Sequence, residues 1–389
     1  MLRVLLLLMI AVVPAAAAAN TVGEMRVIGD AERTRFVVDL QKNPDYRITR
    51  LANPYRLVID LPEVEFPTPA KPGKGRGLIS DFRYGLIAPG KARIVLDLSA
   101  PVTIVNSFVL DPVAPEPARL VVDVAPTSAE SFEAAVRQDR PEPAASLARL
   151  PFDQSGREAG RPVVVLDPGH GGIDSGAIGK DNLMEKEVTL RFGQELAREL
   201  KEGGKVDPVL TRQGDDFLSL GERVEVARQN EAALFISIHA DTVKEDYVRG
   251  ATVYTLSDDA SDALAAALAA RENRSDILAG LSLDNQPDEV VDILFDLARR
   301  ETKNLSVRFA KSLVDDIDDA MALNANPWRR GSFVVLKAPD VPSVLLELGY
   351  LSNPEDEAAF RSKTWPKREA EAVARSIEEF FTASLAAGQ

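Results

Sequence analysis

Two histidines are all that this chain contains, His170 and His239. Neutral imidazole is the commonest protein ligand for zinc. Each histidine follows a short run that reads as a buried strand, VVVLDPGHGG and LFISIHAD, and each has an aspartate close by. A lone histidine is more often a satisfied core or surface group. Two of them at strand ends beside aspartates make half of a metal centre if the fold brings them together.

A hydrolytic zinc keeps about three protein ligands and one open position. Fifteen residues after His170 stands Glu185, in NLMEKEVTL at a helix start. On the residues alone it reads as an ordinary partner of the helix dipole, and Glu187 points elsewhere on the same helix. Glu347 differs, because it lies inside the apolar run SVLLELGYLSN, where a carboxylate is expensive to bury unless paired or functional. We expect it to take a proton from an activated water and pass it to a leaving nitrogen. Rival chemistries lack their residues. There is no cysteine, and no G-x-S-x-G elbow, Walker loop, dinucleotide fingerprint or H-E-x-x-H pattern.

The elements around these residues predict an α/β domain over 162–389. Runs such as VVVLD, DPVLTR, LFISIHA, ATVYTL, SFVVLK and SVLLELG read as strands. They alternate with amphipathic helices, so we expect a mostly parallel or mixed sheet flanked by helices. Sites in such sheets form beyond the carboxyl ends of strands, where His170, His239 and Glu347 fall. Gly171 and Gly172 are expected to let the backbone turn sharply and approach a substrate closely. An alanine-rich segment at 257–287 predicts a helix capped by Ser261 or Asp262, with Leu264, Leu268 and Glu272 on one face. The ordinary reading of Glu272 is a salt bridge with Arg271 or Arg274, or exposure. A further helix with Ile293, Leu297, Leu305, Phe309 and Leu313 at helical spacing is expected to pack on the sheet.

Ahead of this domain the pattern differs. Residues 1–19 read as a secretion signal, with Arg3, the apolar run Leu5 to Val13 and small residues Ala15 to Ala19. No later segment is apolar enough to cross a membrane, which takes roughly 20 residues. The net charge of −14 argues against a nucleic-acid partner. Residues 20–126 hold four β-branched runs, RFVVDL, RLVIDLP, RIVLDL and RLVVDV. They form an internal repeat and predict an all-β sandwich of two similar halves packed face to face. Asp39, Asp60, Asp97 and Asp123 end these runs and are expected to tie down turns. Residues 127–161, rich in Pro, Ala, Glu and Ser, read as a flexible linker with at most a turn of helix in EAAVRQ.

Five blocks in order, DPGHGGIDSGAIG, MEKEVTL, LTRQGDDFLSLGERVEVA, LFISIHAD and PSVLLELGYLSNPEDE, resemble the zinc-dependent N-acetylmuramoyl-L-alanine amidases of bacteria. The N-terminal repeat region resembles the AMIN domain, a cell-wall targeting module of periplasmic division amidases. The resemblance implies one Zn2+ per catalytic domain, held by His170, Glu185 and His239, with Glu347 as the catalytic glutamate. It implies hydrolysis of the amide between N-acetylmuramic acid and L-alanine in peptidoglycan, in the periplasm at the division septum. It also implies that the 257–287 helix covers the site, with Glu272 in the open metal position, until a periplasmic activator of LytM-domain type removes it. Two other readings stay open at this level. One is a catalytically silent peptidoglycan-binding scaffold, and the other is a zinc peptidase cutting within the stem peptide.

Overall fold

The computed structural model describes residues 20–139, 160–278 and 293–387, apart from 53, 63, 67–72 and 89–90. The expected secretion signal, most of the expected linker and the end of the 257–287 segment lie outside the described residues.

The N-terminal domain carries strands β1 (Asn20–Gly29), β2 (Thr34–Leu40), β3 (Arg47–Leu51), β4 (Arg56–Pro62), β5 (Val64–Glu65), β6 (Gly73–Arg76), β7 (Ile79–Ala88), β8 (Lys91–Leu98), β9 (Val102–Leu110) and β10 (Ala118–Pro126). They form two sheets, ordered β5-β1-β2-β10-β9 and β3-β4-β8-β7-β6. Alternate residues of both, such as Phe36 and Val38 of one and Leu57 and Ile59 of the other, fill one shared core. The sandwich is as expected, but the two halves interleave. β2 of the first half pairs with β10 of the second, and β4 pairs with β8.

The reason lies in the repeat itself, where each run begins with arginine and ends in aspartate four residues later. Antiparallel pairing then sets Arg35 opposite Asp123 and Arg119 opposite Asp39 in one sheet. In the other it sets Arg56 opposite Asp97 and Arg93 opposite Asp60. Arg35 holds Asp123 through two bonds of 2.6 and 2.8 Å, and Arg93 holds Asp60 at 2.6 and 3.0 Å. Asp39 bonds Arg26 and Asp97 bonds Arg83. These aspartates are therefore cross-strand ion-pair partners rather than turn ties.

The start of the expected linker is instead helix α1 (Ala129–Asp139). Phe132 is buried in the sandwich core against Tyr55, and Asp139 pairs with Arg50 at 2.8 Å. Burying one such phenylalanine contributes about 1.5–3 kcal/mol toward seating the helix.

The C-terminal domain is built on β11 (Val163–Pro168), β12 (Asp207–Leu210), β13 (Leu234–His239), β14 (Ala251–Leu256), β15 (Leu323–Gly331) and β16 (Ser343–Glu347). Their order is β12-β11-β13-β16-β14-β15. The sheet is mixed, since β14 runs antiparallel to β16 while the other neighbours are parallel. The helices are α2 (Glu185–Gly203), α3 (Leu220–Gln229), α4 (Ala263–Glu272), α5 (Ser275–Leu278), α6 (Ile293–Ile317), α7 (Pro354–Arg361) and α8 (Trp365–Ala387). One face of the sheet, with Val164, Leu166 and Ile236, packs on α2, α6 and α8. The other face, with Val165, Phe235 and Tyr254, packs on α3 and α4. Val188, Phe192, Leu196 and Leu200 recur every fourth residue of α2 and are all buried. Gly204 ends that helix in the left-handed region, with φ 68°. The run SFVVLK is not a strand: Val334–Leu336 form a 3-10 turn whose side chains join the α3–α4 face.

Candidate metal centre

β11, β13 and β16 are adjacent parallel strands, and their carboxyl ends deliver the three residues expected there. His239 is the last residue of β13 and lies in register opposite Glu347, the last residue of β16. His170 follows β11 by two residues. Glu185 is the first residue of α2, fully buried, whereas Glu187 is exposed. His170, His239 and Glu185 meet, with Glu347 beside them on the neighbouring strand. His170 Nε2 lies 3.2 Å from Glu185 Oε2, and His239 Nδ1 lies 3.1 Å from Glu185 Oε1. The two imidazoles sit edge to face, 5.0 Å between centroids. A Cβ at Gly176 would stand 2.6 Å from the His170 ring and 2.7 Å from the Glu185 carboxylate, so only glycine lets them meet.

Glu272, at the last position of α4, is buried in the same cluster. Its Oε2 lies 3.5 Å from His170 Nε2 and 3.2 Å from His239 Nδ1. The salt bridge to Arg271 or Arg274 is not formed; Arg271 instead pairs with Asp241 at 2.7 Å. One ligand atom each of His170, His239 and Glu272 lies within 4.8 Å of the others, and the Glu185 carboxylate touches both imidazoles, one oxygen to each, so these side chains are close enough to share one ion. His170 Nε2 makes no hydrogen bond although two carboxylates face it, as befits a lone pair turned toward a cation. Nitrogen and oxygen donors of this kind suit zinc.

The charge balance agrees. Burial alone would lower the His170 pKa, but Glu185, Asp174 and Glu272 push it well above the usual imidazole range. Burial resists ionising Glu185, yet His170 and His239 hold it well below the ordinary glutamate value. Burial, then Glu185, Asp241 and Glu272, push Glu347 well up. Asp241 is raised in the same way, first by burial and then by Glu185 and Glu272. Such an excess of buried carboxylate is what a dication relieves.

Comparison with known proteins decides the family. Residues 164–379 match the family model described as N-acetylmuramoyl-L-alanine amidase, and residues 25–124 match the AMIN domain. The chain belongs to the N-acetylmuramoyl-L-alanine amidase family. It is 33% identical over 388 residues to the amidase AmiC of Escherichia coli O6:H1, covering 94% of this chain and 90% of that one. It is 31% identical to AmiC of Neisseria meningitidis serogroup B, covering 90% and 88%. AmiA of Escherichia coli K12 is 39% identical over 226 residues, 58% of this chain and 78% of that one.

Sequence reasoning missed the residues that hold the amidase site in shape. Asp174 Oδ2 bonds His170 Nδ1 at 2.9 Å, and the His170 side chain thereby presents Nε2 to the cluster. His170 itself has φ 61°, an unusual value for a side-chain-bearing residue. Two buried arginines grip the turn that imposes it. Arg223 donates to the carbonyls of Pro168 and His170 at 2.9 and 2.8 Å and to Asp167 at 2.7 Å. Arg212 donates to the carbonyls of Pro168 and Gly169, both at 2.9 Å. The signal for Asp174 was its position four residues after a histidine; the arginines gave none.

Around Glu272 the amidase chain is pinned at several points. Asp262 caps α4 through Ala265 N–H at 2.9 Å, and Arg271 also donates to the Thr242 carbonyl at 3.0 Å. Asn273 donates to Ser332 O at 2.7 Å and accepts from Val334 N at 2.8 Å. Ser275 donates to Asp174 Oδ2 at 2.5 Å. The space left beside His170, His239 and Glu272 is about 10 Å³, about enough for one water-sized particle.

Proposed function

We propose that the chain is a regulated, zinc-dependent periplasmic enzyme that hydrolyses the amide between N-acetylmuramic acid and L-alanine of peptidoglycan, for wall splitting at the septum. The observation that carries this reading is the buried meeting of His170, Glu185, His239 and Glu272 at the strand ends, with Glu347 in register beside His239. On this reading His170, Glu185 and His239 hold the ion, which when bound supplies Lewis acidity and a water acidified toward pKa ~7. With an ion bound in place of the His170 proton, neutral imidazoles and an ionised Glu185 would be the donors; Asp174 fixes the His170 tautomer.

Glu347 is the proton carrier. Its Oε2 accepts from Asp241 N–H at 3.2 Å, and its Oε1 has no partner. Burial makes its carboxylate more basic, so when ionised it takes a proton from the attacking water. It then delivers that proton to the alanine nitrogen as the C–N bond breaks, leaving a lactyl carboxylate and a free amine.

Glu272 fills the position that a substrate carbonyl and water need, and the space left beside it admits no sugar or peptide. We infer that α4 and α5 are an autoinhibitory cover that a periplasmic activator of LytM-domain type displaces. Glu272→Ala should raise basal release of peptide from purified sacculi, because it frees the open position that a catalytic zinc needs, and chelation should abolish it. Mass analysis of products reads the bond cut: peptide-free glycan marks an amidase, shortened muramyl peptides a peptidase. Basal activity and zinc affinity both unchanged in Glu272→Ala would sink the cover's assignment to that residue.

A further inference from the structure

The N-terminal sandwich meets the other domain beside the metal centre. On β4, Leu57, Ile59 and Leu61 enter the sandwich core, so Val58 leaves from the opposite face; on β8, Ile94 and Leu96 enter it and Val95 leaves. Val58 and Val95 are register partners. They are buried in a separate apolar cluster with Ile173 and Phe217 of the amidase domain, with Leu51 and Ile87 at its margin. The backbones also touch, since Ile173 N–H donates to the Leu86 carbonyl of β7 at 3.2 Å.

Glycines on both sides make that approach possible. A Cβ on Gly85 would lie 2.5 Å from Ile173 N. One on Gly172, at φ +56°, would lie 2.0 Å from Leu86 O. Gly172 was expected to admit a substrate, but here it admits the N-terminal domain.

Ile173 stands in a tight turn closed by reciprocal bonds, Gly171 N–H to Asp174 O at 2.8 Å and Asp174 N–H to Gly171 O at 3.0 Å. His170 opens this turn, and Asp174, which holds His170 Nδ1, ends it. Lys186 and Asp215 brace it from the amidase side, through Gly172 O and Gly172 N–H, each at 2.8 Å. We propose that the N-terminal domain is a positioning element of the metal centre: docked through Val58 and Val95 on Ile173 and Phe217, it braces the turn that sets His170. This assignment goes beyond wall targeting and does not depend on which bond the enzyme cuts.

Gly85→Val in the full chain is the direct test. The atoms nearest to a Cβ there all belong to Gly172 and Ile173, so β7 accommodates a β-branched residue while the contact between domains does not. Amide hydrogen exchange and the rate of zinc release to a chelator are the readouts. Exchange over 171–176 and 215–218 should quicken about tenfold and zinc leave about tenfold faster, as for loss of an outer support of a ligand. β10 and β13 should keep their protection. Val58→Thr with Val95→Thr keeps the branched shape and sets hydroxyls in the contact, and it should move both readouts the same way. It decides the matter if Gly85→Val disturbs β10. Unchanged exchange over 171–176 in a folded variant, or faster exchange with unchanged zinc release, overturns the proposal.

Discussion

Asp174 grips His170 from the side away from Glu185 and Glu272, and one of its oxygens serves both His170 and Ser275. A support of this kind is worth about 10–100-fold in metal affinity. Asp174→Asn should therefore weaken zinc binding by about that factor while leaving the fold intact, as read by competition with a chelator and by circular dichroism. His170, His239 and Glu347 were legible in the sequence because each is chemically out of place in an apolar run. Glu185 was not legible on its own, because a carboxylate in a first helical turn is ordinary; the order of motifs around it carried the assignment. Arg212 and Arg223 were invisible. Their task is to bond carbonyls of a turn that exists only after folding, and nothing in the local pattern of an arginine announces a buried one.

At the level of elements, α4 is short and depends on its cap. Asp262 supplies it and is also held by Arg329. Removing such a cap costs about 1 kcal/mol of helix stability. Asp262→Ala should then raise basal hydrolysis about fivefold if the helix is the cover, the factor that 1 kcal/mol gives, and assays on sacculi without activator will show it. Elements with strong periodicity, such as α2 and β13, were readable. β15 was not, because it carries Pro327 and a register shift at the sheet edge, where proline is tolerated. The Val334–Leu336 turn was misread for the opposite reason: its β-branched residues suit a strand, but burial against α3 and α4 overrode local preference. α1 was read as linker because its composition is polar and its anchors, buried Phe132 and the Asp139–Arg50 pair, are sparse.

Across the whole molecule, the arginine–aspartate pairs of the sandwich set a pH limit on the N-terminal domain. Hydrogen bonds from Arg35, against the opposing effect of burial, lower the Asp123 pKa in the fold. The stabilisation is thus present above the unfolded value, about 3.9, and is lost as pH falls through the lower folded value. Asp123→Asn should cost about 1–2 kcal/mol at pH 7, given that Arg35 is half exposed. The difference from wild type should shrink as pH falls below the unfolded value and vanish once pH is below the lower folded one, as thermal melts across pH will show. The position of Glu272 at the very end of α4 carries a consequence of a different kind. The carboxyl end of a helix is its negative pole and disfavours an anion, so the closed helix needs a cation in front of it. With Glu272 as a resting ligand, ion and helix become linked ligands of one site, each raising the affinity for the other by the same factor. Whatever lifts the helix must weaken zinc retention by that factor, and a cell starved of zinc would find this enzyme less firmly closed but with nothing left to catalyse.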